Sequence, residues 1–340
     1  MQGFPPPDDR IIGYPASDYF SFPRLRWTFC HFREIQATKR VGRGMGPVSP
    51  LAEALDPAID ELTFTPIGAT EEMTSKASLE ANYTDGMLIL HRGAIVYEYY
   101  SGCLDREGRH GAMSVTKSFV GTVAEILIAE GELNDSKLVS DYVPELKSSA
   151  FGNATVREVM DMTTGLDYNE NYADPESDIW LYAAAGDPTP KPESYKGPRN
   201  FYEFLQGVEP EGTHGEAFIY KSINTDALAW VIARATGKDF IEHLAERIWK
   251  PLGMEQEADM MIDSLGTPFS PHVATPFLPH VREECSFFCS SVPNSNSAGP
   301  IIVTPIPPIN AGLAEIFSIS SRKTCISSIL SPPPPYSLGQ

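Results

Sequence analysis

The feature that most narrows how this chain can fold is the run from Ser114 to Gly131. Phe119, Val120, Val123, Ile126, Leu127 and Ile128 make it a helix that is apolar on more than one face, and Gly131 ends it. Such a helix needs cover on several sides, so it is expected at the centre of a core. It opens on Met113, Ser114, Val115, Thr116, Lys117 and Ser118, a serine one helical turn before a lysine on the same face. A serine hydroxyl is a poor nucleophile until a neighbour takes its proton, and a helix start offers N–H groups and a dipole that favour a developing oxyanion. Ser114 is therefore a candidate nucleophile for acyl transfer. On spacing alone an ordinary helix start explains the pair equally well, and a second copy, Ser320 to Lys323, lies in a polar tail with no apolar helix behind it.

Other elements follow from local chemistry. Met87 to Leu90 and Ala94 to Tyr99 are β-branched, apolar runs separated by His91, Arg92 and Gly93, which predicts a hairpin. A helix is expected over roughly Leu51 to Leu62, and another over Thr155 to Met162, where Thr155 and Glu158 form a capping box. Gly165 to Gly197 reads as a long polar loop with a helical piece near Asp178 to Ala185, of the kind that shapes a binding site. Phe201 to Gly207, Asn224 to Thr236 and Lys238 to Trp249 read as further helices. Residues 1–50 read as an extended arm packed by Tyr19, Phe20, Phe22, Trp27, Phe29 and Phe32.

A chain of 340 residues can bury a sizeable core, and a formal net charge of −19 disfavours nucleic acid or an anionic membrane as partner. The basic cluster Arg24, Arg26, Lys39, Arg40 and Arg43 reads as a solvated segment. The cysteines, Cys30, Cys103, Cys285, Cys289 and Cys325, show no CxxC pairing and no His/Cys grouping, so a reducing, cytoplasmic setting without a metal is expected.

Tyr220, at a loop-to-helix junction in Tyr220-Lys221-Ser222-Ile223-Asn224-Thr225, can meet the Ser–Lys pair in space and pass a proton to or from the nucleophile. With this residue the chain resembles the serine β-lactamase-like hydrolases, which include class C β-lactamases, penicillin-binding proteins, esterases and the nylon-oligomer amidases. The resemblance runs over most of the first 268 residues: Arg26 to Phe29, Arg33 and Glu34, Met113 to Ser118, Tyr142 to Leu146, Asp167 to Tyr172, and Tyr220, Ser222, Asn224, Thr225 and Asp226. It implies an α/β (α+β) fold of the β-lactamase/transpeptidase type, with a helical subdomain over about 113–262 and an antiparallel sheet. It implies that Ser114 is acylated, that Lys117 and Tyr220 move its proton, and that Ser222 stands where many relatives carry a substrate-contacting asparagine. Tyr172 matches a loop tyrosine that contacts amide substrate in the nylon-oligomer enzymes, although turn chemistry explains that loop too; Glu170 and Asp174 read as solvated loop charges. The implied reaction is hydrolysis of a small ester or linear amide, without metal or organic cofactor. The alternative is a homologue that keeps the pocket and only binds.

Past about Phe269 the sequence changes. Pro and Ser dominate, acidic residues nearly vanish, and no periodicity lasts. The family's third motif, Lys or His followed by Thr or Gly and then Gly, is missing from residues 270–340. The expected organisation is thus an arm (1–50), a truncated hydrolase domain (51–269) whose sheet is incomplete, and a tail that reads as out-of-frame or mis-spliced translation. Ile301 to Ile309 and Ala314 to Ile319 are the tail segments that can pair with Ala94 to Tyr99.

Overall fold

A computed structural model describes residues 3–13, 19–276 and 301–303. The Ser320 to Lys323 copy, Cys285, Cys289, Cys325, Ala314 to Ile319 and the Pro332 to Pro335 run lie outside the described residues. The chain divides into two compact units. The first joins Met1–Val48 to Gly102–Phe277, and the second is built on Ser49–Ser101.

In the first unit, an antiparallel four-stranded sheet runs in the order Thr38–Val41, Ala258–Ile262, Pro268–Pro276 and Arg109–Gly111. Its register places Thr38 opposite Met261, Asp259 opposite Ala274, and Ala274 opposite Gly111. The arm is less extended than its sequence predicts. Leu25–Thr28 and Phe32–Ile35 are single helical turns, followed by the Thr38–Val41 strand. The aromatic packing forms: the Phe29 ring lies 5.6 Å from both Phe20 and Phe32, while Trp27 stacks on His31 at 4.0 Å. Phe22 stays exposed. Gly111 N–H donates to Phe29 O at 2.8 Å, and a Cβ on Gly111 would come within 2.5 Å of the Phe32 ring, so only glycine fits under that ring. The buried Asp259 carboxylate pairs with Arg109 and lies 3.7 Å from Arg33, joining two strands to the arm.

The helix expected from Ser114 spans Val115–Ala129, with Gly131 beyond it at φ 78°. It buries one stripe, Thr116, Phe119, Val120, Val123, Ala124 and Leu127, each apolar member worth roughly 1.5–3 kcal/mol for the larger side chains. The central helix is instead Ile223–Thr236, whose residues from Ile223 to Ile232 are all buried. Asn224, Thr225 and Asp226 disguise it in the sequence, because polar residues this deep are held by hydrogen bonds: Tyr182 donates to Asp226 and Thr164 to Asn224. The capping box at Thr155 forms, with Glu158 N–H 3.2 Å from Thr155 Oγ1, and heads a helix over Val156–Met160. Asp178–Ala185 and Phe201–Gln206 are helical as expected. The Lys238 to Trp249 stretch is α-helical only over Phe240–His243 and becomes π-helical over Leu244–Trp249.

In the second unit, the hairpin forms from Gly86–His91 and Ala94–Tyr100, turning at Arg92 (φ 51°) and Gly93 (φ 79°), the two positive φ values that a tight hairpin turn requires. Its sheet runs Ile301–Val303, Gly86–His91, Ala94–Tyr100, Ala52–Glu53. Ile301–Val303 pairs antiparallel with Leu88–Leu90, not with Ala94 to Tyr99, whose other edge is taken by Ala52–Glu53 in parallel. The helix expected over Leu51 to Leu62 does not form. Asp56 precedes Pro57, which disfavours the α conformation, so Asp56 is extended and caps only a short 3-10 turn, Pro57–Glu61.

The expectation of reduced cysteines is also corrected, since Cys30 and Cys103 form a disulfide across 73 residues of sequence. Local spacing cannot reveal a partner that only the fold brings near. Among the described residues, no helix is long and apolar enough to cross a membrane, and no cluster of three His, Cys, Asp or Glu side chains could hold a metal ion.

Candidate active site

The strand Arg109–Gly111 delivers the chain to Met113, which takes a left-handed φ of 47°, a conformation that costs a non-glycine residue about 1–2 kcal/mol. That sharp turn sets Ser114 at the start of the Val115–Ala129 helix. A serine there ordinarily caps the helix with its own hydroxyl. Ser114 makes no such cap. Its Oγ instead accepts from Lys117 Nζ at 2.9 Å and from Tyr220 OH at 2.8 Å. Lys117 Nζ also lies 5.2 Å from the centre of the Tyr220 ring. The Ser114 N–H has no acceptor among the described residues, which leaves it as a donor for the carbonyl oxygen of a group attacked by Oγ. Three residues that are 3 and 106 positions apart in sequence thus converge on one oxygen.

Ser222 and Tyr172 meet at a residue the sequence reading set aside. Glu170 is not a solvated loop charge: its carboxylate accepts from Ser222 N–H at 2.7 Å, from Ser222 Oγ at 2.6 Å and from Tyr172 OH at 2.9 Å. Nothing in a polar Tyr/Asn/Asp loop marks one acid as the hub, because two of its three donors arrive from Ser222, 52 residues downstream. Ser222 is buried, and its hydroxyl proton is spent on Glu170. Loss of solvent around the hydroxyl, then the Glu170 carboxylate, holds the Tyr172 phenol well above its ordinary range, so Tyr172 is a hydrogen-bond donor and not a base. Its ring packs edge-on against Trp180 at 6.0 Å. The loop is ordered by the turn chemistry expected of it: Asn169, Asn171 and Asp174 each accept from the backbone N–H two residues on.

Residues 78–256 match the family model Beta-lactamase. The chain belongs to the beta-lactamase family. It is 35% identical over 267 residues to the 6-aminohexanoate-dimer hydrolase of Paenarthrobacter ureafaciens, an alignment that covers 76% of this chain and 63% of that relative. It therefore spans less than two thirds of that relative's own length. A beta-lactamase of Providencia stuartii is 43% identical over 53 residues, 16% of this chain and 14% of that one. Among solved structures, one assigned to the 6-aminohexanoate-dimer hydrolases from Bacillus anthracis superposes with a TM-score of 0.73 at 28% identity, over 81% of this chain and 72% of that one. The β-lactamase/transpeptidase-like fold expected from the sequence is the fold this family member has.

Proposed function

We propose that the chain is a serine hydrolase that cleaves a small ester or linear amide through an acyl-Ser114 intermediate. The observation that carries the reading is the convergence of Lys117 Nζ and Tyr220 OH on Ser114 Oγ. Lys117, in its neutral form, takes the Ser114 proton as Oγ attacks the substrate carbonyl; the Ser114 N–H meets the oxyanion. The C–O or C–N bond then breaks, and Tyr220 relays the proton to the departing oxygen or nitrogen. Water attacks the acyl-serine, losing its proton back through the same pair, and releases the acid. Neither metal nor organic cofactor enters this scheme. The likeness to a 6-aminohexanoate-dimer hydrolase supports a linear amide as substrate; in this reading the half-exposed Tyr172 contacts it, and Ser222, buried with its N–H and hydroxyl on Glu170, serves the substrate site by holding that loop.

A serine-reactive fluorophosphonate probe tests this. Wild-type protein is expected to be labelled, and Ser114→Ala and Lys117→Met are not; no label on the wild type, or equal label on Ser114→Ala, refutes the reading. The second reading, a homologue that binds without turnover, is favoured by the missing third motif, and saturable ligand binding without product release would establish it. The cytoplasmic location proposed from composition stands against the Cys30–Cys103 disulfide, which needs an oxidising setting to persist, and the redox state of that pair in intact cells decides between them.

A further inference from the structure

Lys221 follows Tyr220 and points the other way. Tyr220 is 44% exposed, whereas Lys221 is 5% exposed, and its ammonium donates to a single backbone acceptor, Leu166 O. Among the described residues no carboxylate pairs with it. A buried ammonium with so little compensation is costly, and a methionine of similar length would fill the space without that cost.

What the lysine does is visible in the bonds around it. Ile219 N–H donates to Met162 O at 3.0 Å, Thr164 Oγ1 donates to Asn224 Oδ1 at 2.7 Å, and Asn224 Nδ2 donates to Lys221 O at 3.1 Å. Alternate residues of one stretch, 162, 164 and 166, therefore grip the turn on both sides of Tyr220. Lys221 is held twice, by its carbonyl through Asn224 and by its side chain at Leu166. Tyr220 sits between these anchors with its side chain directed outward.

We propose that Lys221 is a positioning residue, whose buried ammonium pins the turn to Leu166 O and so holds the Tyr220 hydroxyl against Ser114 Oγ. The inference rests on the reading of Tyr220 as a proton-transfer partner. Proton transfer needs hydrogen-bond reach, and a displacement of about 1 Å at a reacting group costs up to roughly 100-fold in rate.

The test is the rate of Ser114 phosphonylation by a fluorophosphonate, with kinact and KI resolved, well below the melting midpoint. Lys221→Met is expected to lower kinact by roughly 10- to 100-fold with KI little changed. Lys221→Gln, which keeps an N–H donor on a shorter stem, recovers part of that loss, a readout that filling the volume alone would not move. Wild-type kinact in Lys221→Met, or a glutamine variant no better than methionine, overturns the inference while leaving Tyr220 in place. If Lys221→Met does not fold, Thr164→Val loosens the same clamp through Asn224 and is expected to show the same kinact-only loss; wild-type kinact there overturns it as well. Tyr220→Phe separates the two claims, because wild-type kinact in that variant defeats the reading of the site itself.

Discussion

Glu170 offers the sharpest test of how the site is held together. Its Oε1 accepts from Ser222 Oγ and Tyr172 OH, and its Oε2 from Ser222 N–H. The three bonds are not of equal consequence. Tyr172 is 45% exposed as a residue, so its side chain can swing outward and bring the hydroxyl to water once the carboxylate is gone, whereas Ser222 is 2% exposed and its donors have no such recourse. Glu170→Ala therefore orphans two buried donors at about 1–3 kcal/mol each, partly offset by water entering the vacated volume, for a net loss of about 2 kcal/mol. For a unit of this size that corresponds to a fall of about 4–8 °C in Tm. Tyr172→Phe alone is expected to shift Tm by no more than about 1–2 °C, since exposed substitutions fall within about 0.5 kcal/mol. A double-mutant cycle in thermal denaturation separates the pairs: coupling of Glu170 with Ser222→Ala above about 1 kcal/mol, and with Tyr172→Phe below about 0.5 kcal/mol. Equal couplings, or a Glu170→Ala variant that melts with the wild type, would refute the assignment of Glu170 as the tether.

Four further outcomes are expected. His243 is buried with Nδ1 accepting from Arg247 Nε at 3.1 Å and Nε2 against Thr236 Oγ1 at 2.8 Å; burial, then Arg247, lowers its pKa despite Glu132 and Glu246, with Lys238 adding to the depression. The unfolded chain thus binds the proton more readily, so this stability is present above about pH 6.5 and is lost as pH falls through the folded pKa; His243→Gln should flatten the fall in Tm between about pH 7 and 5, and parallel slopes would contradict it. Gly111→Ala drives a Cβ into the Phe32 ring at 2.5 Å and should cost about 1–3 kcal/mol, with Phe32→Leu giving a double variant better than the sum of the two losses; strict additivity would count against the clash. Ala274→Pro should cost about 3 kcal/mol or more, because residue 274 is paired on both sides, to Asp259 and Gly111, and soluble protein with an unchanged melting curve would show that strand to be dispensable. Reducing Cys30–Cys103 reopens a loop across 73 residues and should lower stability by roughly 4 kcal/mol, so identical melting with and without reductant would rule the brace out.

Where the deciding interaction is local, the sequence is readable. The Thr155 box, the Arg92-Gly93 turn and the Gly131 stop involve residues within four positions of one another, and each appears as expected. Ser114 and Lys117 are legible for the same reason, and Tyr220 through the resemblance. Glu170, Lys221 and the Cys30–Cys103 pair are not, because their partners come from distant segments and their residue types are unremarkable where they stand. Ile223–Thr236 is legible as a helix but not as the central one, because its polar start is buried only through the hydrogen bonds of Thr164 and Tyr182.

The strand Pro268–Pro276 shows why composition misleads at the point where the chain changes character. Prolines argue against a strand in the middle of a sheet, and this strand has sheet neighbours on both sides. Yet each proline sits where a missing N–H does least harm. Pro268 is the first residue, opposite Ile262, and Pro276 is the last, opposite Arg109. Between them the register passes from Ile262 opposite Pro268 to Met260 opposite Val273, so residues 269–272, with Pro271 among them, face Met261 alone in a bulge. The regular ladder is confined to Val273 through Pro276, and that ladder is what pairs with the strand leading to Ser114. A boundary drawn at residue 269 from Pro and Ser content therefore cuts through the support of Ser114, the candidate nucleophile, and the placement of each proline, not their number, decides whether the segment can be a strand.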